Sequence, residues 1–175
     1  MLTGRINQIT VIDIDDDMDW YAAFCEKYDI PETTTVRTPS GGKHEYYMYD
    51  PRIKNATHGW HNHTKAAKVG LDPSAHRIAI DCRNDGGIAI GAGSLYEIDP
   101  KDLEKKKHKV QFIGKAYEWD IDPDDGNELD FSYITHLPDI FHQWALHGMN
   151  KKTMEILPPK KHKVARICSD EIEQK

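Results

Sequence analysis

Cysteine is scarce in this chain: Cys25, Cys82 and Cys168 are the only three among 175 residues, and they lie far apart. They form no Cys-x-x-Cys pair, which argues against a zinc ribbon, and an odd, scattered set is no disulfide framework. A reducing, intracellular compartment is therefore expected. No apolar run is long enough to span a membrane and no signal peptide opens the chain, so no membrane partner is expected. An excess of positive charge is missing too. Twenty-three Lys and Arg stand against 29 Asp and Glu, for a net charge of −6. That excludes a protein that coats nucleic acid by charge alone. It leaves room for an enzyme with a local basic groove, because acidic metal ligands lower the total. There is no internal repeat. The length suits one domain, and the 38% of hydrophobic residues gather into strand-like runs that supply a core.

The most informative run is Thr10-Val-Ile-Asp-Ile-Asp15. Its β-branched residues predict a strand over 9–15. Residues i and i+2 of a strand share a face, so Asp13 and Asp15 project together, with Cα atoms roughly 6–7 Å apart. Two carboxylates held that way can hold a divalent ion. A calcium loop starting at Asp13 fails, because Met18 stands where glycine is required and Phe24 where glutamate is required. Solvated acids at a strand end are the alternative.

Asp16, Asp17 and Asp19 precede Trp20, Ala23, Phe24 and Tyr28 at helical spacing, which predicts a helix over 17–28 with an acidic, capping first turn. Residues 33–49 read as a hairpin whose turn holds Pro39, Gly41 and Gly42. Residues 50–76 read as an irregular connection; its His58, His61 and His63 are either a polar loop or a metal cluster lacking further ligands. Residues 77–82 read as a strand ending in Asp81, 83–87 as a turn and 88–94 as the returning strand. A lysine-rich, solvated stretch over 101–109 follows. Short strands are expected at 110–113 and 116–119, an acidic loop at 120–130, and a helix over 137–147 stopped by Gly148. The expected division is a catalytic core over 1–150 and a charged linker or tail over 151–175.

Apolar strands thus deliver Asp13 and Asp15, then Ser40 and His44, then Asp81. Three carboxylates at strand ends suit two Mg²⁺ or Mn²⁺ ions, and such a pair suits phosphoryl transfer. In the 38–44 turn, backbone N–H groups at Gly41 and Gly42, with Ser40, Lys43 and His44, would bind a triphosphate. Arg37 and Arg83 are further phosphate contacts by guanidinium chemistry. Each piece also has a plain reading: Asp81 as a turn former, Ser40-Gly-Gly as a good turn, His44 as a satisfied strand residue.

Three strings taken together carry more. Ile-Asp-Ile-Asp at 12–15, Arg-Thr-Pro-Ser-Gly-Gly-Lys-His at 37–44 and Ile-Asp-Cys-Arg-Asn-Asp-Gly-Gly at 80–87 resemble the three motifs of the archaeo-eukaryotic primase superfamily. They are most similar to its bifunctional primase–polymerase (prim-pol) branch, found in plasmids, phages and large DNA viruses. Gly93-Ser94 and Tyr117-Glu-Trp119 resemble further family segments, and the likeness covers about residues 3–145. The resemblance implies an α+β fold, a prim-pol core whose RRM-like mixed or antiparallel sheet has flanking helices. It implies template-directed nucleotidyl transfer, with Asp13, Asp15 and Asp81 as catalytic metal ligands. His44, with Ser40 beside it, would contact the phosphates of the incoming nucleotide. An NTP or dNTP, a single-stranded DNA template and a replicative helicase in the same or a separate chain are the expected partners. Relatives carry an α/β segment before the first motif, and few residues precede it here, so the core is expected to be N-terminally short. A non-catalytic nucleic-acid-binding remnant that needs a partner chain, or another metal-dependent nucleotide transferase, are the other readings.

Overall fold

The strand expected at 9–15 forms as β1 (Ile9–Ile14), and alternation along it splits its side chains between two faces. Ile12 and Ile14 enter the main core, whereas Val11 joins a smaller cluster on the other side of the sheet. These features come from a computed structural model that describes residues 1–121 and 133–159. Most of the acidic stretch at 120–130, from residue 122 on, and the end of the chain from residue 160 lie outside the described residues.

Helix α1 (Met18–Tyr28) follows, then the hairpin of β2 (Thr35–Arg37) and β3 (Lys43–Met48). Helix α2 (His58–Lys68), β4 (Ile80–Arg83), β5 (Glu118–Ile121) and α3 (Asp139–His147) complete the main body. A short hairpin, β6 (Met149–Asn150) with β7 (Glu155–Ile156), closes it. The main sheet has the order β4-β1-β3-β2-β5, and all of these strands pair antiparallel. The fold is α+β, as expected. Among the described residues no helix is long and apolar enough to cross a membrane.

The helical face of the sheet is closed by an aromatic cluster centred on Phe24, which is fully buried. Its ring lies 5.1–5.5 Å from Tyr28, Trp144, Trp20 and Phe141, at angles from stacked to edge-on. The opposite face is more open, and there Val11, Val36, Tyr46 and Ala89 make the smaller cluster.

Several expectations are corrected. The segment read as an irregular connection contains α2. Gly59, three histidines and two flanking prolines hide it in the sequence, yet Trp60, Asn62 and Ala66 are buried by it. Its first turn is left-handed at Gly59, Trp60 and His61, with φ of 58°, 55° and 56°. A Cβ on Gly59 would meet the Trp144 ring at 2.8 Å. The left-handed conformation costs about 1–2 kcal/mol at each of the other two residues. Packing of the Trp60 ring 5.1 Å from that of Trp144 offsets it. The side chain of Asn62 ties this helix to the backbone of His76 and Met149.

No strand forms over 88–94. β4 pairs with β1 instead, and the chain after it bridges Leu2 at Ile88 and then crosses the open face. Residues 110–113 are not a strand either: Lys107–Phe112 is a 3-10 helix, with Val110 exposed and outside the sheet. The acidic first turn of α1 does not cap by side chain. Asp17 has φ 59° and its carboxylate instead takes two hydrogen bonds from Lys151, at 2.8 and 2.9 Å. Residues 151–157, read as linker from their lysines, therefore belong to the packed body. Trp20, Lys27 and Tyr28 donate to the backbone carbonyls of Lys151, Thr153 and Met154.

Lys65 of α2 donates to the last carbonyls of α3, at Trp144 and Ala145. Burial, with the charge of Lys68, pulls its pKa from 10.5 down to about 8. The folded state then binds fewer protons than the unfolded state between those values, so stability from this group rises as pH increases from about 8 to 10.5. The expected result is a melting temperature that climbs over that interval relative to Lys65→Met, in which the titrating amine is gone.

Candidate active site

The open face of the sheet gathers the acidic residues. In the ladder, Asp13 of β1 lies directly opposite His44 of β3 on one side and Asp81 of β4 on the other. Side chains opposite one another in a sheet share a face. Asp15, one residue beyond β1, continues the same alternation. The four residues that the motifs single out therefore sit on three neighbouring strands around one spot.

His44 Nε2 lies 3.3 Å from Asp13 Oδ1, and His44 Nδ1 donates to the Ile90 carbonyl at 2.9 Å. Burial acts to lower the His44 pKa, but the hydrogen bond to Asp13, the Asp13 charge and the Ile90 carbonyl outweigh it and raise it. The form with protons on both ring nitrogens is thereby favoured beside the carboxylate. Burial likewise pushes Asp13 upward, while His44 and Arg83 pull harder and hold it below the ordinary carboxylate value. Asp15 behaves oppositely. It opens to solvent, yet partial desolvation, with the charges of Asp13 and Asp81, raises its pKa, and Lys109 acts against this.

Arg83 is the neighbour with the most contacts. Its Nη2 donates to Asp13 Oδ2 at 2.8 Å and to Asp81 Oδ2 at 2.9 Å, and its Nε reaches Asp13 Oδ2 at 3.2 Å. Val11 is its ladder partner, so it reaches Asp13 diagonally. The sequence suggests a phosphate contact for this residue; in the fold it bridges two of the acidic groups.

The 38–44 turn packs on the end of β1. A Cβ on Gly42 would meet the Ile14 carbonyl at 2.2 Å and the Asp15 Cα at 3.3 Å, so only glycine lets the turn come this close. Gly41 has φ 90°, which also favours glycine. The expected phosphate cradle is corrected, however. Gly41 N donates to the Thr38 carbonyl and Gly42 N to Thr38 Oγ1, so both N–H groups close the turn itself. Ser40 Oγ lies 3.2 Å from Thr38 Oγ1 at the turn, half-buried. Lys43 is not brought to the carboxylates: adjacent strand residues face opposite ways, and its ammonium lies 4.0 Å from Glu45 on the helical face. Arg37 pairs with Asp120 of β5, away from Asp13.

Sequence reasoning missed two contributors. The carbonyl of Ile90 orients His44, and no side-chain pattern announces a backbone contact. Lys109, from the stretch read as solvated, acts electrostatically on Asp15. Tyr117, noted only within a Tyr-x-Trp segment, places its ring 5.8 Å from that of His44. His61 and His63 have rings 6.3 Å apart but join no metal group.

Three carboxylates are the hard oxygen donors that Mg²⁺ or Mn²⁺ takes. Among the described residues no three His, Cys, Asp or Glu side chains converge as a ready cage. The residues nevertheless fit such an ion in charge and donor type. A guanidinium stands in as the shared cation of Asp13 and Asp81, and Asp15 lies on the same face beside them.

None of the curated proteins matches the chain. A family model does match, over residues 1–139, most of the chain. The protein therefore belongs to the family of bifunctional DNA primase/polymerase N-terminal domains.

Proposed function

We propose that the chain carries out template-directed nucleotidyl transfer in DNA replication, as a primase–polymerase core, at the site formed by Asp13, Asp15 and Asp81. The observation that carries this reading is the ladder register, which sets Asp13 between Asp81 and His44. In the reaction a 3′-hydroxyl oxygen attacks the α-phosphorus of a bound NTP or dNTP, the bond to the β-phosphate oxygen breaks, and pyrophosphate leaves. Two bound Mg²⁺ or Mn²⁺ ions would supply charge neutralisation at the attacking and leaving oxygens. Asp13, Asp15 and Asp81 would hold them. His44, fixed through Nδ1 by the Ile90 carbonyl, would turn Nε2 from Asp13 to the triphosphate. Ser40, on the turn whose Gly42 packs against Asp15, would be a further contact, and Arg83 and Lys109 bring further positive charge. Lys43, Arg37 and the turn N–H groups are left out, because each already has a partner elsewhere.

Another metal-dependent transferase is less well supported, since Asp81 lies beside Asp13 as the three-acid arrangement requires. A second reading, a non-catalytic binding module completed by another chain, is favoured by one observation: Arg83 already pairs with both Asp13 and Asp81. The two readings separate in one assay. With Mn²⁺, dNTPs and a primed single-stranded template, template-dependent extension by the chain alone is expected. Binding of the template without extension, under conditions where a control polymerase is active, would favour the module. Addition of a replicative helicase then tests whether that partner restores synthesis.

A further inference from the structure

We propose that Arg83 is an exchangeable cation: it holds Asp13 and Asp81 in the metal-free protein and must release them before they ligate a divalent ion, so metal and nucleotide bind in a coupled way. This rests on the proposed function, and it assigns to Arg83 a role that phosphate contact alone does not describe.

The hydrogen bonds leave little alternative. Asp13 Oδ1 faces His44, and Asp13 Oδ2 accepts from both Nε and Nη2 of Arg83. Neither oxygen can turn fully to a metal while these contacts persist. Asp81 Oδ2 is held by the same Nη2. One nitrogen thus spans carboxylates of two strands, as a small cation would. Two of the three acids are thus directed at the guanidinium.

Charge supplies the driving force for exchange. Three carboxylates, those of Asp13, Asp15 and Asp81, gather about the one guanidinium of Arg83, so negative charge is in excess. A dication entering beside a fixed Arg83 would be repelled by it and short of free oxygens. A dication replacing Arg83 meets three carboxylates. The displaced side chain, about 30% exposed, is not walled in. On this face a nucleoside triphosphate is its natural new partner, because a guanidinium pairs with phosphate oxygens in a fork geometry. Metal alone must break two ion pairs without replacing them. Metal with a triphosphate replaces both.

The test is calorimetric titration of Mn²⁺ into the metal-free full chain, with and without a nonhydrolysable dNTP. The proteins are the parent, Arg83→Gln, Arg83→Lys and Asp13→Asn, each checked for fold by circular dichroism. Without nucleotide, Arg83→Gln is expected to bind Mn²⁺ at least about tenfold more tightly than the parent, the low end for a charge-assisted hydrogen bond. Nucleotide is expected to tighten Mn²⁺ binding by the parent more than by Arg83→Gln. Arg83→Lys should fall between, because one ammonium cannot span both acids equally, and it decides the matter alone if the glutamine variant does not fold. Equal or weaker Mn²⁺ binding by the Arg83 variants, with Asp13→Asn abolishing it, overturns the exchange and leaves the metal site intact. Loss of Mn²⁺ binding in every protein, the parent included, overturns the proposed function itself and the exchange with it.

Discussion

Asp13→Asn is expected to lower primer extension with Mn²⁺ by on the order of a thousandfold while the protein stays folded. The substitution keeps the shape of the side chain and removes its charge. It acts at the centre of the ladder, where Asp13 contacts His44 and Arg83 at once. An amide oxygen can still accept from Arg83, so the β1–β4 pairing loses little. An amide cannot, however, share a dication with Asp81, nor hold the His44 imidazolium by charge. The loss should appear in kcat more than in the nucleotide KM, since charge develops at the reacting oxygens. Retention of more than about a tenth of the parent rate would remove Asp13 from the reaction.

The largest effect on stability is expected from Phe24→Ala, about 3–5 kcal/mol. Phe24 is fully buried and its ring contacts aromatic neighbours from both α1 and α3. Truncation leaves a cavity that neighbours as large as Trp144 and Phe141 cannot close without leaving their own rotamers. Urea unfolding should show the full loss, and heating a midpoint lower by roughly 6–20 °C. Tyr28→Phe serves as the mild comparison, since it removes only the hydroxyl bond to the Met154 carbonyl. A loss below about 1 kcal/mol for Phe24→Ala would mean that the two helices are not joined through this ring.

Much of the site was legible in the sequence, because a strand has a period of two. Asp13 and Asp15 follow from it, and the three motif strings bring Asp81 and His44 to them. The same period separates Lys43 from His44, so the misplaced lysine was also legible. Other features needed the register. Arg83 meets Asp13 only as a diagonal neighbour across β4 and β1, and nothing local says that β4 pairs with β1. The strand expected at 88–94 failed for a related reason: its presumed partner β4 pairs with β1 along one edge and bridges Ala56 on the other. The helix α2 was masked by residues chosen for a left-handed first turn. The polar turn at 38–44 was read by composition, but where its N–H groups go is a question of closure, and they close the turn.

The hold on His44 is made by a main-chain carbonyl, that of Ile90. Its side chain is half out in solvent and contributes nothing to that contact. Every amino acid offers the same oxygen, so substitution scanning at residue 90 would report it as silent. What the histidine senses is the length of chain between Gly87, anchored to Thr3, and residue 90. Relatives could therefore exchange the residue at 90 and yet tolerate neither an insertion nor a deletion before it.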